Sequence, residues 1–377
     1  MTNPEIIPYS RQSVDDTDIE AVVDVLRSDW LTQGPAVEQF ESAIADAVGV
    51  REVVAVSNGT AALHVAAIAA GLAPGKRLWT SPITFVASAN CALYCGADVD
   101  FVDIDPTDAN MSMERLAEKL EAAARVDALP DVVVPVHFGG QPCDLETLGA
   151  LKKQYGFKVL EDACHAIGGS DRVGRSVGGC DVTDMAAFSF HPVKIVTTGE
   201  GGAVATNDPD LANRLRLARS HGITRDPSMI DGELEGPWAY RQIDIGYNYR
   251  LTDLQAALGL SQMRRLTEFV EQRNVFARRY DVLLQNLPVT PLSVHRDAVS
   301  AYHLYVVRID EQAAGRTRRQ VFEALADRGI RCQVHYIPVP MHPYYESRGH
   351  SISEYPVAEK YYQEALSIPI FYSLTGD

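Results

Sequence analysis

Apolar residues change their period along this chain, and the changes divide it into elements. Near the start, Ser13 and the acids Asp15, Asp16 and Asp18 precede Ile19, Val22, Val23 and Leu26, an acidic first turn that opens a helix with a period near 3.6. Val37, Phe40, Ile44 and Val48 repeat the spacing for a second helix. From Val53 to Gly169 short apolar runs alternate with helical segments. VVAVS, RLWTSP, VDFVDID, DVVVPVH and FKVLEDA read as strands, with FVASANCALYCG, SMERLAEKLEAA and DLETLGALKKQYG among the helices between them. DMAAFSF and GGAVATN add two strands, and PDLANRLRLARS a helix. Continuous apolar strands alternating with helices predict a largely parallel sheet covered on both faces, a large α/β domain over residues 1–250.

Residues 222–246 show neither period, and a loop that long in a compact enzyme is expected to be functional or held by a partner subunit. Beyond it, Leu251, Leu254, Leu258, Met263, Leu266, Phe269, Phe276 and Tyr280 predict one long amphipathic helix with room for a bend. The strand HLYVVRI, the helix TRRQVFEALADRG and the strand RCQVHYI then predict a smaller α+β domain over residues 251–377, packed tightly because no Gly/Ser linker precedes it.

Composition narrows the function. With 377 residues, 46% hydrophobic and 22% charged, the chain can bury a large core and is not disordered. A net charge of -16 argues against nucleic acid or an anionic membrane as the main partner, since both call for a basic surface. The six cysteines show no CxxC pairing, which suits reduced cytosolic thiols better than zinc or disulfides. No basic segment followed by an apolar one opens the chain, and the apolar stretch from Val53 to Ala73 is broken by polar residues, so a cytoplasmic protein with no membrane span is expected. His335 and His342 lack a carboxylate or cysteine at metal-ligand spacing, so no metal is expected.

Three segments place reactive residues at the carboxyl ends of predicted strands, where open α/β sheets hold ligands. In VVAVSNGTAALHVA a strand runs through Ser57, Asn58, Gly59 and Thr60 into an Ala-rich helix, so free N–H groups and the helix dipole point at one place, as a phosphate cradle requires. Taken alone, that segment reads better as a plain strand-to-helix turn with Thr60 as cap, since it lacks both GxGxxG and GxxxxGK(S/T). In KVLEDACHAIGG a strand ends in Glu161 and Asp162, a costly place for a carboxylate unless it meets a cation or strong donor. In FSFHPVKIVTTGEGG, Ser189 is placed to reach a phosphate, and Lys194 stands in an apolar, Gly/Thr-rich setting where it can form an imine with an aldehyde. A cradle, a strand-end aspartate and a sequestered lysine, in this order, match what pyridoxal 5'-phosphate (PLP) needs.

These motifs, with IPYSRQSVDD, LTQGPAVEQFE, SPITFVASAN, GYNYRLTDLQAALG and VHYIPV, resemble the DegT/DnrJ/EryC1/StrS family of PLP-dependent sugar aminotransferases over nearly the whole chain. HPVKIVTTGEGG and IPYSRQ look most like its PseC-type subgroup, which makes a UDP-4-amino-4,6-dideoxy-N-acetyl-β-L-altrosamine in pseudaminic acid biosynthesis. The resemblance implies the type I, aspartate aminotransferase-like fold of PLP-dependent transferases. It implies Lys194 as the Schiff-base lysine and proton carrier, Asp162 as the partner of the pyridine nitrogen, Phe85 stacked on the ring, and Gly59, Thr60 and Ser189 on the phosphate. His165 would pack near the ring, although a hydrogen-bonded core histidine is an equally good reading. Asn248 would reach the phosphate of a neighbouring subunit, making the site part of a homodimer, and Tyr9, Gln33, His335 and Tyr336 are the candidates around a nucleotide-linked sugar. The implied reaction moves an amino group from L-glutamate to a UDP-linked 4-keto-6-deoxy-N-acetylhexosamine. Family members usually continue past a segment like ALSIPIFYSLT into another helix, so the small domain is expected to lack one. Alternatives are an aminotransferase for another nucleotide-linked keto sugar and a non-catalytic nucleotide-binding protein; a PLP-dependent dehydratase of the same scaffold would carry histidine in place of Lys194.

Overall fold

A computed structural model describes residues 6–232 and 234–374. Two helices come first, α1 (Asp16–Arg27) and α2 (Pro35–Val48). Asp15 and Asp18 cap α1 reciprocally, Pro35 starts α2 where its missing N–H costs nothing, and Gly49 ends it in the left-handed region. The alternating region follows as β1 (Glu52–Val56), α3 (Gly59–Ala69), β2 (Arg77–Thr80), α4 (Ala87–Tyr94), β3 (Asp98–Phe101), α5 (Met113–Ala124), β4 (Val132–Val134), α6 (Leu145–Tyr155) and β5 (Lys158–Asp162). Next come β6 (Met185–Ser189), β7 (Gly202–Thr206) and α7 (Pro209–Arg219).

The seven strands form one sheet in the order β1-β7-β6-β5-β4-β2-β3, parallel throughout except for β7, which runs against both its neighbours. Helix α3 is apolar nearly all round, with Ala61 through Ala67 buried, because the sheet lies on one side and α4 and α7 on the other.

Residues 222–232 and 234–246 belong to a surface arm held at its base by a short ladder, β8 (Ile223–Thr224) with β9 (Arg241–Gln242). The arm exposes Trp238, Tyr240, Ile243 and Ile245. The predicted long helix is two, α8 (Asp253–Met263) and α9 (Leu266–Leu284), interrupted at Arg264 and Arg265. Arg265 leaves the helical region there, and its guanidinium is drawn to Asp15 and Asp18 at the head of α1. Helix α8 packs on α1 and α2.

The second sheet is antiparallel, with β11 (Tyr305–Ile309) between β10 (Val289–Pro291) and a carboxyl-terminal strand. This part of the chain also carries α10 (Glu311–Ala314), α11 (Arg318–Asp327), α12 (Pro343–Glu346), whose Tyr345 packs against Phe101 of the large sheet, α13 (Pro356–Glu364) and then β12 (Ala365–Ile368). The stretch RCQVHYI corrects the strand expected there: it meets the sheet only through a bridge from Gln333 to Ser367, and β12 takes the place beside β11. No helix among the described residues is long and apolar enough to cross a membrane.

Candidate active site

The strand ends of the large sheet, Tyr9 near the amino terminus, His303 before β11 and the segment after α11 enclose a cleft of about 940 Å³. Its cradle is the start of α3. Asn58, not Thr60, is the cap, its side-chain oxygen accepting the N–H of Ala61 at 2.8 Å. The earlier N–H groups of the helix have no intrahelical acceptor, and Gly59 and Thr60 line the cleft. Gly59 has to be glycine: a Cβ there would stand 2.8 Å from Ser189 Cβ. Gly202 is fixed in the same way, since its Cβ would meet Asn58 O at 2.5 Å. Ser189, at the end of β6, therefore stands against the cradle.

Adjacent residues of a strand point to opposite faces, and β5 uses this to separate its two acids. Glu161 turns inward, sealed against His137 Nε2 at 2.8 Å and accepting from Thr183 Oγ1. Asp162 turns to the cleft. Ser88 Oγ donates to its Oδ2 at 2.5 Å, Thr84 supports Ser88 at 2.6 Å, and the Cys164 N–H donates to its Oδ1 at 3.2 Å. These fixed donors hold the carboxylate in one orientation. Ser88 and Thr84 were not among the residues expected from the sequence; both lie in SPITFVASAN, with no charge to mark them.

Lys194 sits on the connection from β6 to β7. The connection is tied at its base by Phe190 N–H to Gly201 O at 2.8 Å and Thr198 N–H to Phe190 O at 3.0 Å, and Gly199 makes the turn at φ 79°. Phe190 and Val196 are fully buried and anchor it. Ser10 Oγ, from the amino-terminal segment, donates to Val193 O at 2.9 Å, beside the lysine. Burial of the Lys194 amine pulls its pKa below the ordinary value, against the opposing pull of Cys164 and Asp162. A lysine so placed is available as nucleophile and base nearer neutral pH than a solvated one.

Phe85 is 56% exposed although large and apolar, because its ring faces the cleft. Opposite stand His165 and, from the segment after α11, His335 and Tyr336. Gly139 N–H donates to His165 Nδ1 at 3.3 Å, and His165 Nε2 meets Tyr336 Oη at 3.2 Å. His335 Nδ1 pairs with Ser367 Oγ at 2.8 Å, and its ring lies 5.4 Å from that of Tyr9. Burial, then the Lys194 charge, pushes His165 well below the ordinary histidine value and His335 down to about 3. Burial raises the Tyr336 phenol.

The structure thus brings together Tyr9, Gly59, Thr60, Phe85, Asp162, His165, Ser189, Lys194, His335 and Tyr336. Gln33, exposed at φ 54°, and Asn248, exposed beside its bridge to Ser220, do not line the cleft of their own chain. His303, at the entrance to β11, does line it; a lone histidine in AYHLYVVRI carries no sequence signal that separates it from the core.

The cradle, the braced aspartate and the enclosed lysine fit PLP, and together with the fold they define a PLP-dependent aminotransferase of fold type I. The chain belongs to the DegT/DnrJ/EryC1/StrS aminotransferase family, whose model matches residues 12–377. It is 40% identical to the spore coat polysaccharide biosynthesis protein SpsC of Bacillus subtilis, over 98% of this chain and 94% of that protein. Among solved structures it is similar to PseC of Helicobacter pylori, an aminotransferase of pseudaminic acid biosynthesis, with a TM-score of 0.89 and 31% identity over 99% of this chain and 95% of that one. Spr1654 of Streptococcus pneumoniae, solved in a PLP form, superposes with a TM-score of 0.87 at 26% identity, over 98% of this chain and 95% of that one. The cofactor is pyridoxal 5'-phosphate, the fold is that of type I, and the family acts on sugars with a glutamate-type amino donor.

Proposed function

We propose that this enzyme moves the amino group of L-glutamate to C4 of a UDP-linked 4-keto-6-deoxy-N-acetylhexosamine, as in pseudaminic acid biosynthesis. The observation that carries the transamination is the enclosed Lys194 amine facing a cleft that also holds the braced Asp162 and the α3 cradle. PLP, when bound, supplies the electron sink that makes a proton on the carbon next to nitrogen removable. The chain supplies the rest. Gly59, Thr60 and Ser189 would hold the phosphate, Asp162 would fix the charge at the ring nitrogen, and Phe85 would cover one ring face. His165 packs beside the ring. Lys194 would hold the cofactor through its aldehyde, and its amine, once free, would take the proton from the donor's α-carbon and, in the second half of the reaction, give one to C4 of the sugar. Tyr9, His335 and Tyr336 receive the sugar.

A homodimer belongs to the same reading. Gln33 and Asn248 lie exposed outside their own cleft, which suits residues that serve the site of a second copy, and the exposed apolar side chains of the arm offer that copy a surface. Residues 1–250 and 251–377 are taken as the two domains, and the unpaired cysteines suit a cytoplasmic setting.

The test is the visible spectrum of the PLP-loaded protein with L-glutamate, followed by a panel of nucleotide-linked 4-keto sugars. Loss of the lysine-bound cofactor band with glutamate, and its return only with the UDP-linked 4-keto-6-deoxy-N-acetyl sugar, is the expected result. Return with a different keto sugar would favour the second reading, an aminotransferase for another nucleotide-linked sugar, which the 40% identity to SpsC supports.

A further inference from the structure

His303 has no task in the reading above, yet its surroundings are specific. It is 1% exposed, its ring centre lies 4.4 Å from that of His165, and Lys194 is close enough for its charge to bear on both imidazoles. Burial and that charge keep the ring neutral. Its Nδ1 is sealed from solvent and has no hydrogen-bond partner. Buried N–H groups without an acceptor are rarer than buried acceptors without a donor, so Nδ1 carries the lone pair and the ring proton sits on Nε2. His303 lines the cleft, and it does so as a donor.

The same logic sets the polarity of Tyr336. The Gly139 N–H occupies His165 Nδ1, so the His165 proton is on Nε2 and is given to Tyr336 Oη. The phenol's own proton is left for the cleft, where Tyr336 also stands. Against these donors stands an absence: among the described residues that line the cleft there is no arginine, and Lys194 is the one lysine. From its own chain, a carboxylate entering it meets no guanidinium fork of the kind that ordinarily holds such groups. Lys194 itself is committed to the cofactor and to proton transfer.

We propose that His303 Nε2–H and Tyr336 O–H form the donor pair that receives the α-carboxylate of the amino donor and so sets its α-carbon beside the Lys194 amine. This assignment rests on the transamination reading. Two neutral donors replace one cationic fork, which lets the same wall accept an uncharged sugar in the second half of the cycle without stranding a buried charge.

The test titrates the PLP-loaded enzyme with L-glutamate, following loss of the lysine-bound cofactor band, and separately with glutarate by calorimetry. Glutarate carries two carboxylates and no amine, so its binding reports recognition without chemistry. His303→Phe keeps a ring in the same space and removes the donor; it should raise the half-saturating L-glutamate concentration about tenfold or more and weaken glutarate by a similar factor. His303→Gln, which restores an N–H, should return both to within about threefold of the native protein. A merely structural role would instead loosen PLP and lower the limiting rate without rescue by glutamine. Unchanged titrations of a cofactor-retaining His303→Phe overturn the proposal. Should that variant not fold, the decision falls to Tyr336→Phe, for which an unchanged glutarate affinity is the overturning result. A native holoenzyme that keeps its band but ignores L-glutamate sinks the transamination reading itself, and the donor pair with it.

Discussion

The two walls of the cleft are built in opposite ways. The wall from the large sheet uses strand ends: Gly59 and Thr60 after β1, Asp162 at the end of β5, Ser189 at the end of β6 and Lys194 just beyond. β5 and β6 each have a ladder on both sides, β1 pairs with β7 at the sheet edge, and backbone hydrogen bonds tie the loop that carries Lys194, so these positions follow from the sheet. The facing wall is assembled from chain that is not in a regular strand: Tyr9 near the amino terminus, His303 before β11, and His335 and Tyr336 on an extended segment. Its rings are held by side-chain contacts, His335 by Ser367 and Tyr336 by His165. Chemistry common to a family is expected on the first wall, and choice of substrate on the second, where residues change without disturbing a ladder.

Substitutions can break that division. The largest effect belongs to Lys194→Ala, which should leave the fold and melting temperature intact while lowering single-turnover transamination by about 10⁴-fold or more. Substantial residual turnover would remove the lysine from its role. Asp162→Asn comes next: it keeps the shape but weakens charge-assisted bonds, and should raise the PLP dissociation constant by about 10- to 100-fold, read by equilibrium dialysis. Acidification probes the second wall. Folded His335, at about 3, and the lowered His165 and His303 bind fewer protons than in the unfolded chain, so stability is full above about pH 6.5 and declines below it. Each such histidine contributes a slope of up to about 1.4 kcal/mol per pH unit, and thermal melts at pH 7 and pH 5 read their combined effect together with that of His64, also lowered by burial, and against that of Asp108, whose carboxyl burial raises to about 6. The smallest effect is expected from Tyr9→Phe, a change of a few fold in KM for the nucleotide sugar at an unaltered PLP affinity, about 1 kcal/mol for one hydrogen bond. A Tyr9→Phe enzyme that loses PLP would erase the distinction between the walls.

The first wall was legible in the sequence because each of its residues follows an apolar run that ends abruptly in Gly, Ser, Asp or Lys, and a strand that stops there can point only to the ligand edge. Even so, LED left two acids open, and the alternation of the strand, fixed by its neighbours, decides that Glu161 goes to His137 and Asp162 to the cleft. The second wall was legible only by resemblance. RCQVHYI alternates like a strand, but the edge of β11 is taken by β12, in the stretch ALSIPIF, to which the sequence pattern assigned no element. His303 and Ser88 looked like core residues because their roles depend on partners more than 70 residues away. The division of α8 from α9 is likewise tertiary, since Arg265 is drawn from the helical path toward the acids heading α1.

The surface arm between β8 and β9 has a consequence for how the protein reports on itself. Of the three tryptophans, Trp79 is buried at 3% exposure, whereas Trp238, on the arm, is 73% exposed. Indole emission moves to shorter wavelength when water leaves the ring. Covering the arm should therefore blue-shift the fluorescence while the Trp79 contribution stays fixed, and diluting the enzyme should reverse the shift at the concentration where specific activity begins to fall, if a second copy is what covers it.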